Sequence, residues 1–216
     1  MSEFTLDPSR TLIGYLIRHG ELNIKDRWDG WGNFVLSNEG RESIEKTAQW
    51  LSFERLGRLI TSDLPRAYQS AEIIMSCCDF SCPFMGTDPN LRAWAIAGFT
   101  GRKKTDEAKA EFRYYREHPE IKIPGGESWM DMQERIKVVY QYLCVPYNNL
   151  PTVIVLHNSV LKGILDLDEK GDVVEPGGCV AVYLNAEGKC EFEVVLGATK
   201  LDEGSGLEIA PGASCG

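Results

Sequence analysis

The sequence lacks both a basic stripe and a long apolar run. Its 32 acidic residues outnumber its 23 basic ones, the formal net charge is −9, and the two signs are interleaved. Proteins that neutralise a nucleic-acid backbone cluster their Lys and Arg, so we expect no nucleic-acid partner. No apolar segment approaches the roughly 20 residues that span a bilayer, and the N-terminus lacks the basic and apolar regions of a signal peptide. We therefore expect no membrane partner and a cytoplasmic location.

The cysteines lack the regular spacing of a disulfide framework. There are seven, an odd number, and reduced thiols of a cytosolic protein are expected. Cys78 and Cys82 have a C-x3-C spacing, but no histidine is near them in sequence and no second pair follows to complete four zinc ligands. The sequence therefore predicts no metal and no other cofactor.

Length and composition favour one globular domain. The 216 residues are 43% hydrophobic and 25% charged, which is ordinary usage. We expect the domain to span residues 1–203 and residues 204–216, rich in Gly and Ser, to form a mobile tail with little to bury. Near-continuous apolar runs at residues 11–17 and 152–156 are typical of parallel strands covered on both faces. Residues 179–196 predict a hairpin at the edge of the sheet.

Helix signals separate these strands. Ser37 predicts an N-cap, Pro65 suits a first helical turn, and Ser128 with Asp131 three residues on predicts the start of one long helix. Residues 22–35, which are polar and rich in Trp and Gly, are long for a connector and suggest a site loop. Residues 79–126 are irregular, and we interpret them as an excursion over the site.

Two of the three histidines directly follow the buried-strand patterns. Arg18 and His19 end the first run, and His157 ends the later one. Open α/β sheets bind ligands beyond the carboxyl ends of their strands. Arg offers a planar fork of donors to phosphate oxygens, and His is a nucleophile when one ring nitrogen stays unprotonated. An anion pocket is predicted there, and a solvated Arg beside a hydrogen-bonded His at a strand end is the alternative.

Four segments, taken together and in order, resemble the histidine phosphatase superfamily with its phosphoglycerate mutase-like fold. They are Arg18-His19-Gly20-Glu21, Ser62-x-x-x-Arg66-Ala67, Pro124-Gly125-Gly126-Glu127-Ser128, and the strand that ends in His157. The resemblance spans residues 12–196 and implies a three-layer α/β/α sandwich around a mostly parallel central sheet.

The resemblance also implies roles for individual residues. His19 would be the nucleophile that becomes phosphorylated, and Arg18, Arg66 and His157 would surround the phosphoryl group. These roles suit phosphoryl transfer, because positioned cations are the main protein contribution to it when no metal is bound. Asn23 would match the phosphate-binding Asn of the family if this loop is two residues shorter than usual. The alternative for Asn23 is a turn residue.

The general acid of the family is missing from its usual places. The family commonly shows Leu-x-Glu where this chain has Leu91-Arg92-Ala93, and a second branch places Asp directly after the late histidine, where this chain has Asn158. A general acid contributes ~10²–10⁴ in rate. Three accounts follow: an unusual acid, with candidates Glu127, Asp106 and Glu107; a leaving group that needs none; or a protein that binds phosphorylated ligands with little turnover.

The favoured interpretation is a metal-independent phosphatase that forms a phosphohistidine and acts on a small phosphorylated substrate or a phosphoprotein. The alternative is a catalytically weak or inactive module that binds a phospholigand or a protein. A phosphoglycerate mutase is less favoured, because isomerisation needs proton transfer at two hydroxyls. The oligomeric state is open at this point.

Overall fold

A single six-stranded sheet organises the chain. The computed structural model describes residues 10–82, 85–165 and 173–198. The strands are β1 (Arg10–Arg18), β2 (Arg58–Thr61), β3 (Met85–Thr87), β4 (Thr152–Leu156), β5 (Val174–Asn185) and β6 (Cys190–Ala198). Their order is β3-β2-β4-β1-β5-β6. Strands β3, β2, β4 and β1 pair in parallel with their neighbours in this order. Strands β5 and β6 form an antiparallel hairpin that pairs with β1 and ends the sheet on that side. The mostly parallel sheet and the late hairpin are thus confirmed.

Within the described ranges, six α-helices connect the strands, and their starts follow local rules. They are α1 (Asn38–Leu51), α2 (Pro65–Cys77), α3 (Asp106–Glu117), α4 (Trp129–Ile136), α5 (Val138–Cys144) and α6 (Asn158–Ile164), with short 3-10 helices at Pro89–Leu91 and Ala97–Phe99. Ser37 accepts a hydrogen bond from the Gly40 N–H, and Ser128 and Asp131 form a capping box. Side-chain acceptors of this kind satisfy the N–H groups that a helix start leaves unpaired.

The single long helix expected after Ser128 is wrong in one respect, because it is interrupted at Lys137. The Lys137 N–H donates to the Glu134 carbonyl, three residues back, and the Tyr140 N–H in turn donates to the Lys137 carbonyl. This tight turn separates α4 from α5.

Both faces of the sheet are covered, which accounts for the continuous apolar runs. Leu16 packs in a core with residues of α4, α5 and α6, while its neighbour Ile17 packs on the opposite face with residues of α1 and α2. Successive side chains of a strand point to opposite faces, so a strand buried on both faces needs no polar alternation. The predicted α/β/α sandwich is confirmed.

The remaining expectations have mixed outcomes. Residues 79–126 include strand β3, which the sequence did not predict. Cys77, Cys78, Cys82, Cys179 and Cys190 are free, but Cys144 is disulfide-bonded. The expectation of reduced thiols is therefore wrong for Cys144, because spacing along the chain does not reveal which thiols meet in the fold. The proposed tail lies outside the described residues.

Two further features of the described ranges concern membranes and metals. No helix there combines the length and the apolar character that crossing a bilayer requires. Nor do three or more His, Cys, Asp or Glu side chains of these ranges converge in a way that could hold a metal ion.

Candidate active site

The pairing of β1 with β4 brings the two strand-end histidines together. These strands are parallel, with Arg18 opposite Leu156, and the His19 N–H continues the ladder by donating to the Leu156 carbonyl at 3.0 Å. His157 is the next residue after Leu156, so both imidazoles emerge at the same sheet edge. Their ring centroids are 5.1 Å apart.

The surroundings of His19 define its protonation state. Its Nδ1 lies 2.7 Å from the Gly20 carbonyl oxygen. A carbonyl only accepts, so this contact assigns the proton to Nδ1 and leaves the lone pair on Nε2. Burial, reinforced by the Arg66 charge, lowers the pKa of His19 from 6.5 to about 3. His19 is therefore a neutral imidazole at physiological pH, with Nε2 available as a nucleophile.

His157 is buried beside it without hydrogen-bond partners. Its side chain is 1% exposed, and neither ring nitrogen has a partner among the residues that the structure describes. Burial, together with the Arg66 charge, holds the pKa of His157 well below its ordinary value. Buried polar atoms are seldom left unpaired, so this ring is a candidate to bind a ligand atom in the cavity that it lines.

Arg66 binds the site loop. It lies in the first turn of α2 and is fully buried. Its Nη2 donates to the Gly30 carbonyl at 2.6 Å, and its Nη1 donates to the Gly32 carbonyl at 3.1 Å. The buried Nε has no partner among the described residues. Arg66 is absent from the described lining of the cavity that His19 and His157 share, so it reaches that space only past the loop.

Asp29 of this loop lies beside the nucleophilic nitrogen. Its Oδ2 is 3.9 Å from His19 Nε2 and 3.2 Å from Arg66 Nη2. Burial raises the pKa of Asp29, but the nearby Arg66 and His19 outweigh that effect and hold the pKa below its ordinary value. The sequence reasoning missed Asp29 as a site residue. The only available signal was an acidic residue within the loop already interpreted as part of the site.

A cavity of about 550 Å³ opens in front of these groups. Arg18, His19, Asp29 and His157 line it, and so do residues from the 79–126 segment. Arg18 is anchored there by donating to the Val174 carbonyl at 2.7 Å. Three of the four predicted catalytic residues thus share one wall, and the fourth, Arg66, contacts that wall from behind through Asp29.

Asn23 does not join them. Its side chain is exposed and does not line the cavity, while its backbone N–H donates to the Val35 carbonyl. Asn23 therefore lies outside the cavity lining that the other predicted residues share, and its assignment to phosphate binding stays a prediction. The loop pairing that holds its backbone turns the residue outward, in line with the turn alternative.

Comparisons with known proteins identify the family of the chain. The sequence profile of the histidine phosphatase superfamily (branch 1) matches residues 14–172. The chain belongs to the histidine phosphatase superfamily. Among its relatives, a probable phosphoglycerate mutase GpmB from Erwinia tasmaniensis is 31% identical over 159 residues, 70% of this chain and 71% of that protein. Phosphoglycerate mutase-like protein 4 from Arabidopsis thaliana is 25% identical over 159 residues, 70% of this chain and 68% of the relative.

Solved structures show the same fold. A mycobacterial glucosyl-3-phosphoglycerate phosphatase aligns with a TM-score of 0.70 at 20% identity, covering 88% of this chain and 100% of the other. A phosphoglycerate mutase from Thermus thermophilus aligns with a TM-score of 0.59 at 27% identity, covering 78% of this chain and 91% of that one. The phosphoglycerate mutase-like architecture is therefore shown.

In this member of the superfamily, the two positions predicted for the general acid lie in the cavity lining and carry no carboxyl group. Ala93 and Asn158 line it, and the Asn158 side-chain oxygen accepts from the Val173 N–H at 3.3 Å. An alanine donates no proton, and an amide has no proton of suitable pKa to give a leaving oxygen. Neither of these two side chains can therefore serve as a general acid.

Glu127, the leading candidate for a displaced acid, is committed to another contact. Arg135 Nη2 and Nε donate to its two carboxylate oxygens at 2.6 Å and 3.1 Å, and the Ala95 N–H donates at 3.0 Å. Glu127 does not line the cavity. These contacts pair the Glu127 carboxylate with Arg135, outside the described lining of the cavity, so its assignment as the acid stays a prediction.

The other two candidates, Asp106 and Glu107, lie in the exposed first turn of α3 and are likewise outside the described cavity lining. Three carboxylate residues do line the cavity: Glu21, Asp26 and Asp29. Of these three, Asp29 has a carboxylate oxygen within 4 Å of a His19 ring nitrogen, at 3.9 Å from Nε2. Asp29 is therefore the acidic group to consider in any account of the chemistry.

Proposed function

We propose that this protein is a phosphatase that hydrolyses a phosphorylated substrate through a phosphohistidine on His19, without a metal ion. The observation that carries the proposal is the hydrogen bond from His19 Nδ1 to the Gly20 carbonyl, which leaves Nε2 as the neutral nucleophile beside the cavity. Membership of the histidine phosphatase superfamily supports it.

The reaction takes two displacements. In the first, the Nε2 lone pair forms a bond to phosphorus while the bond to the leaving oxygen breaks and that oxygen keeps the electron pair. In the second, water attacks phosphorus, the P–N bond breaks and Nε2 regains its lone pair. One water proton stays on the released phosphate and the other passes to solvent. Arg18 and His157 are placed to stabilise the charge on the equatorial oxygens, which is the main catalytic need of such a transition state.

The absence of an acid at Ala93 and Asn158 restricts the substrate. An oxygen that departs unprotonated must belong to an acidic alcohol, so the rate falls as the pKa of the leaving group rises. Aryl and acyl phosphates suit this site better than alkyl phosphates, and phosphoramidates and anhydrides do so as well. The same absence disfavours a mutase, although several relatives carry that name, because a mutase moves protons at two hydroxyls.

A second candidate is a module that binds phosphorylated ligands with little turnover. The observation that favours it is Asp29 beside His19 Nε2, combined with a cavity wall that has Ala93 and Asn158 at the acid positions. Retention of His19, Arg18, Arg66 and His157 in one site favours the phosphatase instead.

Trapping the covalent intermediate distinguishes the phosphatase from the binding module. The protein is incubated with ³²P-labelled acetyl phosphate, quenched in alkali and digested, and label that is stable to alkali but lost in acid is sought on the peptide that contains His19. The His19→Ala variant should lose both label and turnover. His118→Ala is the matched control, because His118 lies at the C-terminus of α3 and does not line the cavity. A chelator should change neither result. Tight phosphate binding without label or turnover would favour the binding module.

A further inference from the structure

The cavity has a second wall that the phosphoryl chemistry does not use. Its volume of about 550 Å³ falls in the range, roughly 300–1,000 Å³, that accommodates a whole small molecule. The phosphoryl-binding residues Arg18, His19 and His157 come from the ends of β1 and β4. The opposite lining comes from the 79–126 segment and α4, which contribute Trp94, Phe112 and Trp129. The site loop adds Trp28.

These aromatic rings support one another. The ring centroids of Trp94 and Phe112 are 5.2 Å apart, as are those of Trp94 and Trp129 and those of Trp28 and Phe112. The Trp94 indole N–H also donates to the Glu127 carbonyl at 3.1 Å. Aromatic pairs at such separations are attractive beyond the area they bury, so the wall is held in place before any ligand arrives.

A cation accompanies the aromatic wall. The Arg116 guanidinium carbon lies 5.9 Å from the Phe112 ring centroid and 5.9 Å from that of Trp129, and Arg116 lines the cavity. Burial lowers the pKa of Arg116 to about 10, so the group stays charged at neutral pH. Lys104 and Lys162 line the same space. The positive charges of this wall are therefore concentrated locally, in a protein whose net charge is −9.

From this wall we infer a subsite for the leaving group, built to take an aryl phosphate whose ring carries an anionic substituent such as a carboxylate. The inference rests on the proposed function for the position of the phosphoryl group. Two independent observations converge on an aryl group: an acid-free site needs an acidic leaving alcohol such as a phenol, and the half-buried rings of Trp28 and Trp129 in the cavity lining can pack against an aromatic ring. Arg116 offers a planar fork of donors to the substituent.

Binding of phosphonates tests the subsite without requiring turnover. Benzylphosphonate, 4-carboxybenzylphosphonate and propylphosphonate are titrated calorimetrically into the wild type and three variants. We expect benzylphosphonate to bind more tightly than propylphosphonate, and Trp129→Leu to reduce that preference roughly 2- to 10-fold. Arg116→Gln should weaken 4-carboxybenzylphosphonate roughly 10- to 100-fold, the effect of a charge-assisted pair, and weaken benzylphosphonate much less. Arg113→Gln, an exposed arginine of the same helix outside the cavity lining, is the matched control.

Equal affinities for the aryl and alkyl phosphonates would overturn the inference, as would equal losses for all three ligands in Trp129→Leu. A loss of 4-carboxybenzylphosphonate binding in Arg113→Gln as large as in Arg116→Gln would remove Arg116 from the subsite. These results are separate from the labelling of His19. Labelling of His19 without a preference for aryl phosphonates would support the phosphatase and contradict the subsite. A preference for aryl phosphonates without labelling would support the subsite in a protein that binds phosphorylated ligands with little turnover.

Discussion

Asp29 and His19 face each other across the position that a phosphoryl group must take. The Asp29 Oδ2 lies 3.9 Å from His19 Nε2 and also pairs with Arg66. A carboxylate at that distance repels an incoming phosphate and occupies a donor that could bind it. If His19 is the nucleophile, we therefore expect Asp29 to move and Arg66 to exchange one anion for another when substrate binds.

Replacing Asp29 by Asn should strengthen phosphate binding. Removal of a charge about 4 Å from the bound anion eliminates a repulsion that solvent only partly screens, so we expect the dissociation constant of inorganic phosphate to fall by on the order of 10-fold. Isothermal titration at fixed ionic strength measures it. Asp26→Asn makes the same charge change on the same loop and should have a much smaller effect. Weaker phosphate binding in Asp29→Asn would instead identify the carboxylate as a group that positions the ligand.

On the proposed mechanism, Ala93 should determine which leaving groups the protein accepts. Wild-type kcat/KM should fall steeply from aryl to alkyl phosphates, because the leaving oxygen departs unprotonated. The Ala93→Glu variant should recover alkyl phosphates selectively, by up to ~10²–10⁴, if its carboxyl reaches hydrogen-bond distance of the leaving oxygen. Ala95→Glu, two residues along, is the control for an added carboxyl that does not line the cavity. Equal wild-type rates on aryl and alkyl phosphates would show that an acid is present.

At the scale of elements, one ion pair ties helix α4 to the segment that carries Ala93 and Trp94. Arg135 pairs with Glu127 and also donates to the carbonyls of Asn90, Arg92 and Ala93. The backbone at position 126 lies against the backbone at position 95, and this contact requires a glycine, because a Cβ on Gly126 would lie 2.0 Å from the Ala95 carbonyl oxygen. The pair therefore shapes the cavity wall from behind.

The Glu127→Gln variant should accordingly lose stability. Removing one partner of a buried ion pair costs ~3–5 kcal/mol, and since both side chains here are 15% exposed, we expect about 3 kcal/mol in urea unfolding. The ratio of aryl to alkyl phosphatase activity should stay the same. The control is Glu134→Gln. Glu134 lies in α4, the helix that carries Arg135, but it pairs at the surface with Lys137, so its loss should cost under about 1 kcal/mol. Selective loss of alkyl activity in Glu127→Gln would restore Glu127 as the acid.

At the scale of the whole molecule, the two neutral histidines make folding dependent on pH. The pKa of His19 is lowered to about 3 and that of His157 lies well below its ordinary 6.5. Between pH 6.5 and 5 the unfolded chain binds protons at these positions and the folded protein does not. The contribution of these two histidines to the free energy of unfolding is complete above pH 6.5 and declines as the pH falls below that value.

The unfolding free energy should decline between pH 6.5 and 5 with a slope approaching about 1.4 kcal/mol per pH unit for each of the two histidines. Urea titrations at intervals across this window measure the slope. The His157→Asn variant should show a smaller slope of the unfolding free energy against pH, because only His19 then contributes to it. A stability that does not change over this window would mean that the histidines accept protons in the folded protein.

The sequence by itself determined strands β1 and β4, the sheet edge at which they end and the residue types found there. Apolar runs that end in Arg18-His19 and in His157 require only that buried parallel strands pair in register, and that pairing brings the imidazoles together. Ser37, Pro65 and Ser128 marked helix starts because capping is a local interaction. The three-layer fold followed from these patterns and from the family resemblance.

Only the tertiary structure decided the directions of the side chains that come from loops. Asp29 turned toward His19, Asn23 turned outward, and Glu127 turned to Arg135, although all three stand in stretches that the sequence associated with the site. The aromatic wall was likewise undecided, since Trp94, Phe112 and Trp129 are distant in sequence and their spacing indicates burial without saying against what. Periodicity reports which face of an element is buried, whereas contacts between irregular segments depend on how the whole chain packs around them.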